Sequence, residues 1–323
     1  MRIIVSGSIA TDHLMRFPGK FTDSLVADQL KHVSLSFLVD DLVVHRGGAG
    51  ANISFGLGCL GLKPILVGAV GVDFVDYRSW LERHGVDCES IYVSEVAQTA
   101  RFVCTTDDAQ NQIASFYAGA MSESRNIELS PVVNRIKDKP LILIGPDDPE
   151  AMIRHTDECR QLGYDFAADP SQQLARMEGD QIRLLIDGAT YLFTNEYEAA
   201  LIEQKTGWSG DEILQRVSHR ITTLGAKGAR VESATGERIE VGCPKERQLA
   251  DPTGVGDGFR AGFLAGVAKG LSHERSAQIG ATLATLVIEN VGPQEYRFEE
   301  NDFISRILST YGDLAATEIS AVL

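Results

Sequence analysis

The segment Asp251-Pro252-Thr253-Gly254-Val255-Gly256-Asp257-Gly258-Phe259-Arg260-Ala261-Gly262-Phe263 carries the strongest chemical signal in the chain. Gly254 and Gly256 bracket a loop that turns into a helix bearing Phe259, Phe263 and Leu264. Two glycines at a helix start let backbone N–H groups converge on one anion, and the helix dipole reinforces that pull. Asp257 follows at once, placed to take a proton from a hydroxyl that attacks a phosphoryl group held on those amides. The plainer alternative is an aspartate that only caps the helix.

Three further segments have the same loop-into-helix character. Gly47-Gly48-Ala49-Gly50-Ala51-Asn52 precedes a helical pattern at Ile53, Leu57 and Leu60. Its glycines would let backbone approach a polyhydroxylated ligand, with the Asn52 amide offering donors and an acceptor to hydroxyls; a turn and cap would explain it equally well. Asn195-Glu196-Tyr197-Glu198 follows an apolar run, and Asn195 and Glu198 one turn apart suit hydrated Mg2+ and phosphate oxygens. The competing reading is an N-cap with an acidic first turn. Thr222-Thr223-Leu224-Gly225-Ala226-Lys227-Gly228 reads as a strand entering a glycine turn able to hold a nucleotide.

These segments need a scaffold, and the periodicity supplies one. Short apolar runs at Ile3–Val5, Ile65–Ala69, Leu141–Ile144, Tyr164–Ala168, Tyr191–Thr194 and Ile221–Leu224 read as strands. Helical patterns lie between most of them. Phe74, Tyr77, Trp80 and Leu81 predict a helix closed by Gly85, and Asp148-Pro149 an N-cap with proline in the first turn. Ile279, Leu283, Leu286 and Val287 mark a buried late helix. Such alternation predicts an α/β fold with a mostly parallel sheet covered on both faces. Two regions break the rhythm. Val33, Leu35, Phe37 and Val39 alternate with Ser34, Ser36 and Leu38 as a period-two strand, and Thr99–Thr105 with Gln112–Tyr117 flanks the polar turn 107–111 as a hairpin. With the chain around Asp12–Phe17 they predict a small antiparallel sheet acting as a lid.

Composition narrows the function classes. The 323 residues carry 30 Lys plus Arg against 45 Asp plus Glu, a net charge of -15, which repels nucleic-acid backbones and leaves room only for a local basic pocket. No apolar run approaches the length of a membrane helix, and the start is too short in apolar residues for a signal peptide. The five widely spaced cysteines have no CxxC spacing, so they predict small buried hydrophobes in a cytoplasmic protein. Gly56-Leu57-Gly58-Cys59-Leu60-Gly61 matches GxGxxG by letter but ends a helix, and Lys63-Pro64 follows; it is not a dinucleotide fingerprint. His273-Glu274 starts like a zinc motif that Ala277 breaks, and GxxxxGK[ST] is absent from the sequence.

The four loop segments, in this order, resemble the ribokinase (PfkB) family of carbohydrate and nucleoside kinases over essentially the whole chain. GGxGxN near residue 50 and DxxGxGD near residue 255 are that family's two signatures. Gly7-Ser8-Ile9-Ala10-Thr11-Asp12 also fits, since the family places an aspartate there on two substrate hydroxyls. Residues 7–19, 34–42 and 168–176 look most like bacterial adenosine kinases of ribokinase-like size. The resemblance implies a three-layer α/β/α core of residues 1–11, 47–98 and 119–323, and a β lid of residues 12–46 and 99–118. It implies Asp257 as general base and the Gly254, Val255 and Gly256 amides as anion hole. Asp12, Gly48 and Asn52 would hold ribose, with Ser8 and Ser36 nearby. Asn195, Thr223, Gly225, Lys227, Gly228 and Gly256 would line the ATP site, and Glu198 would act through Mg2+-bound water. The family's monovalent-cation position beside the anion hole adds K+. Two departures stand out: Ala49 replaces the Lys common in ribokinases, and Pro252 the usual Thr of the second signature.

The hairpin separates acceptors. Phe102 and Phe116 fall where they would pair across its two strands, and two rings over a cleft would sandwich a purine that a free sugar lacks. Gln172 and Gln173 would read purine edges, and Arg176 would approach the transferred phosphoryl group. The expectation is therefore phosphate transfer from ATP to the 5′-hydroxyl of adenosine, a purine-salvage step giving AMP. A sugar kinase for ribose, fructose or another furanose, and a silent ligand sensor on the same fold, remain as alternatives. The apolar alternation at Val33–Val39 further predicts a homodimer clasped through the lid.

Overall fold

The computed structural model describes residues 1–24 and 36–323. In chain order its strands are β1 (Ile3–Ser6), β2 (Ala10–Arg16), β3 (Asp41–Gly47), β4 (Ile65–Val67), β5 (Ala69–Gly71), β6 (Tyr92–Ser94) and β7 (Ala100–Thr106). They continue as β8 (Gln112–Tyr117), β9 (Leu141–Ile144), β10 (Asp165–Ala168), β11 (Tyr191–Asn195), β12 (His219–Thr223), β13 (Ala229–Glu232) and β14 (Arg238–Val241). Eight of them form one sheet in the order β14-β13-β12-β11-β10-β9-β1-β4, parallel from β12 to β4 with an antiparallel hairpin at the other edge.

Both faces of this sheet are covered, which explains its unbroken apolar runs. Ile3 and Val5 point into one core with Phe55, Phe193, Phe259 and Phe263; Ile4, between them, points into the other with Ile142, Phe166 and Ile202. Helices Ala49–Cys59, Val255–Ala268 and His273–Ile288 cover the first face, and Pro149–Leu162, Gly179–Ile186 and Glu196–Thr206 the second. The predicted caps are present: Asp148 accepts from the Glu150 and Ala151 amides, and Gly85 has φ +83° beyond the helix Val75–Arg83. The five cysteines are free thiols, and the GxGxxG match ends the helix Ala49–Cys59 as expected.

A second sheet, β3-β2-β7-β8, stands apart from the first. The hairpin β7–β8 sits where the sequence predicts it, and Phe102 pairs directly with Phe116. The alternating strand predicted at 33–39 is corrected. Val33, Ser34 and Leu35 lie outside the described residues, and Ser36–Val39 are not in a strand; the strand that pairs with β2 is β3, at Asp41–Gly47. Phe37 is drawn instead into an aromatic cluster, 5.0 Å from the Phe17 ring and 4.9 Å from Phe21. Among the described residues no helix is long and apolar enough to cross a membrane.

Candidate active site

The carboxyl ends of parallel strands leave a crevice that helices and loops enclose. Here β1, β10, β11 and β12 open onto a cavity of about 740 Å3, roofed by the small sheet. Its wall includes Gly254, Gly256 and Asp257 from the start of the helix Val255–Ala268. Gly254 caps that helix at φ +77°, and a Cβ there would stand 2.4 Å from the Pro293 Cβ, so only glycine fits. The Val255 amide, expected in the anion hole, bonds back to the Pro252 carbonyl at 3.3 Å instead, and the Gly258 amide to the Gly254 carbonyl at 2.9 Å. The amides of Gly256 and Asp257 are left at the free N-terminal turn, the geometry of an anion nest.

Asp257 is half-buried in the cavity wall. Burial first, then the Asp169 and Glu198 carboxylates, push its carboxyl up to about 7, against the pull of Asn52 and Arg260. It therefore changes charge near neutral pH, as a general base should. Asn52 Nδ2 donates to Asp257 Oδ2 at 2.8 Å, while Asn52 Oδ1 accepts from Gln294 Nε2 at 2.9 Å. Both ends of that amide are engaged, so Asn52 holds the base as well as lining the cavity. Gln294 is tied in turn to the Tyr77 hydroxyl at 2.5 Å and to Trp80 Nε1 at 3.1 Å. Behind Asp257, Arg260 pairs with Asp169 at 2.5 Å and faces Glu198 at 3.8 Å. Burial alone would lower its guanidinium; Asp169, Glu198 and Asp257 together outweigh that and raise it.

The lid enters from the other side. Direct cross-strand pairing sets Asp12, Phe102 and Phe116 in one row across β2, β7 and β8, and all three line the cavity. Asp12 presses against Gly47, where a Cβ would come within 2.7 Å of its Oδ2. Burial raises its carboxyl above the usual range, with His45 pulling it back. Gly48 has φ +89°, and a Cβ there would meet the Ser8 carbonyl at 2.6 Å. Ser8 Oγ accepts from the Ala49 amide at 3.1 Å. Gln172, Gln173 and Arg176 close the cavity wall.

A second cavity of about 470 Å3 adjoins the first, sharing Thr223, Gly225 and Gly256. Gly228, Val255, Phe259, Leu249 and Ala284 line it, a largely apolar pocket beside the anion nest. Two joined pockets with a base and an amide nest between them can bring a hydroxyl and a phosphoryl donor together. A PfkB family carbohydrate kinase model matches residues 10–300. The chain belongs to the PfkB family of carbohydrate kinases.

Among relatives of this PfkB kinase, the nucleoside kinase of Methanocaldococcus jannaschii is 32% identical over 77% of the chain and 81% of that protein. The nucleoside kinase of Methanothermobacter thermautotrophicus is 29% identical over 83% of the chain and 86% of its own length. The Burkholderia thailandensis nucleoside kinase, solved in complex with inosine, superposes with a TM-score of 0.83 at 34% identity, covering 96% of this chain and 97% of that one.

Most of the expected site residues of the PfkB kinase meet at the two cavities, but two do not. Ser36 is exposed in irregular chain and Lys227 is exposed in the turn Gly225–Lys227; neither lines a cavity. Asn195 and Glu198 do line the first cavity, and they also form the reciprocal capping box of the plainer reading. Sequence reasoning missed Arg260, Asp169, Gln294, Met121 and Ser171. Arg260 carried a signal, since it lies one turn after Asp257 on the same helix. Asp169 carried one too, at the carboxyl end of a parallel strand. Gln294 had none: it meets Asn52 across 242 residues.

Proposed function

We propose that this PfkB kinase transfers the γ-phosphate of ATP to the 5′-hydroxyl of adenosine, giving AMP and ADP. One observation carries the adenosine end of the reading: the row Asp12, Phe102 and Phe116 facing Asp257 across one cavity. Asp12 suits ribose hydroxyls, and the two rings suit a purine face. Gln172 and Gln173 would meet the base edge, Gly48 and Ser8 the ribose side, and Arg176 the phosphoryl group. The apolar second cavity would take the adenine of ATP, with Thr223, Gly225 and Gly228 along the nucleotide.

Asp257 would accept the 5′-hydroxyl proton, Asn52 holding its carboxylate toward the acceptor. The Gly254–Gly256 turn would stabilise charge on the moving phosphoryl group. Glu198 fits hydrated Mg2+, which keeps most of its waters and takes few carboxylates: its Oε2 accepts from the Asn195 amide at 2.8 Å, and Oε1 has no partner among the described residues. Bound Mg2+ would neutralise the phosphate oxygens. K+ beside the nest belongs to the same reading, as do purine salvage and a cytoplasmic setting. The lid would also clasp a homodimer through the exposed Leu42, Val43 and Val44 of β3; light scattering showing a monomer would remove that element.

The inosine complex of the Burkholderia protein favours a second reading, a kinase for several purine nucleosides. Turnover of ATP with Mg2+, with and without K+, is to be compared for adenosine, inosine, guanosine, cytidine, ribose and fructose. Adenosine-selective AMP formation supports the first reading and comparable inosine turnover the second. Preference for a free sugar would discard the purine sandwich, and binding without turnover would leave a sensor.

A further inference from the structure

The far end of the large sheet carries a cluster that the kinase chemistry does not use. His219 is the first residue of β12, whose last residue Thr223 lines both cavities, so the two sites lie at opposite ends of one strand. Glu237 occupies the turn between β13 and β14, and His273 is the first residue of the helix His273–Ile288. Glu237 Oε2 lies 3.0 Å from His219 Nε2 and 3.1 Å from His273 Nδ1. One ligand atom from each of the three residues falls within 4.8 Å of the others.

These distances and atoms have a specific chemical meaning. Zinc–ligand bonds of 2.0–2.1 Å in a tetrahedral shell set neighbouring ligand atoms about 3.3 Å apart, within a few tenths of an ångström of the two contacts seen. Two imidazoles and one carboxylate suit a borderline transition metal, whereas Ca2+ and Mg2+ favour oxygen alone. His273 Nε2 is 3.3 Å from the Tyr191 hydroxyl, the outer hydrogen bond that fixes a metal-binding imidazole. The side chains of His219, Glu237 and His273 are 22%, 35% and 22% exposed, enough for an ion to enter. A cation at a helix N-terminus works against the dipole, and the Glu237 carboxylate offsets that.

We propose that His219, Glu237 and His273 bind one divalent transition-metal ion of the Zn2+ class. The ion clamps the start of β12, the β13–β14 turn and the start of a helix packed on the one that carries Asp257. Its role is structural, since the cluster lies away from both cavities.

The chelator-treated full chain is titrated with Zn2+ by calorimetry, and with Co2+ by visible absorption. The expected result is one ion per chain and a higher Tm with Zn2+. Tyr191→Phe should weaken binding about 10-fold, and His219→Gln/His273→Gln should abolish the stoichiometric site. Kinase activity of these variants in transition-metal-free, Mg2+-containing buffer reports that they are folded, and Asp257→Asn should keep the same stoichiometry, excluding Asp257 as the ligand. Failure of wild type to bind one Zn2+ overturns the proposal. So does equal Zn2+ binding by wild type and a folded double variant. Should the double variant not fold, Glu237→Gln, altered only at a turn, replaces it with the same two outcomes.

Discussion

The two walls of the first cavity are built in opposite ways. On the core side, Asp257 is half-buried, held by Asn52 at 2.8 Å and backed by the buried Arg260–Asp169 pair. On the lid side, every residue of β8 is exposed, Phe116 is 52% exposed, and the buried cluster at the sheet is only Ala10 and Ala100 with Met121 from the segment after β8. The core wall is set before any substrate arrives. The lid has little apolar packing of its own and belongs to the low-stability end of the molecule. In the proposed reading, phosphoryl-transfer chemistry is fixed by the packed half, and the choice of acceptor by the half that substrate itself must help to cover.

Removing the core wall's central group should have the largest effect. Asp257→Asn is expected to lower kcat by roughly 10²–10⁴-fold with adenosine affinity little changed, as steady-state kinetics and equilibrium binding would show. The wild-type pH profile follows from the same group. Its carboxyl is raised from 3.8 to about 7, and the ionised form is the base, so kcat/KM should fall with pH below about 7. The stability sign is opposite. A raised carboxyl contributes stability that is complete below about pH 4 and lost as pH rises through about 7. Asp257→Asn removes that penalty, so its melting temperature should exceed wild type at pH 8 and the gap should close at pH 4. Near-normal turnover of the variant would break the contrast between the two walls.

The lid wall should answer differently. Phe102→Ala removes one ring of the cross-strand pair, and aromatic stacking on a base is worth about 1–3 kcal/mol. The adenosine KM should rise about 5- to 150-fold, with kcat changed less. Phe116→Ala should cost less, because that ring is more open to solvent. Equal losses in kcat and kcat/KM would mean instead that the lid orders the reacting groups.

How far the sequence foretold this division differs between the walls. Asp257, Gly254 and Gly256 are close in sequence and sit within the first turn of one helix, so local pattern reveals them. Phe102 and Phe116 were legible because hairpin register is set by a short polar turn. The strand beside β2 was not. Its Leu42-Val43-Val44 run has no alternation, while Val33–Val39 has alternation but its described part, Ser36–Val39, is not strand. Contacts between distant segments left no trace: nothing near Gln294 indicates that it will meet Asn52, and Arg260 needed the fold to find Asp169.

Gln294 offers the finest test of the core wall. An Asn amide can face Asp257 with either end, and only the nitrogen end donates. Gln294 Nε2 donates to Asn52 Oδ1 at 2.9 Å, which fixes the nitrogen toward the base. Gln294→Ala frees the amide to turn, and kcat should fall about 10-fold, the cost of one such hydrogen bond. The Asn52 bond lowers the Asp257 carboxyl, so its weakening should move the acid limb of kcat/KM to higher pH. The KM values for adenosine and ATP should stay within about twofold. Gln294→Glu is the sharper variant. A carboxylate has no N–H for Asn52 Oδ1 and attracts Nδ2 instead, turning the amide oxygen toward Asp257. It should therefore cost more activity than alanine despite its closer shape. If alanine is the worse substitution, Gln294 acts through packing with Tyr77 and Trp80, and the amide's orientation does not set the base.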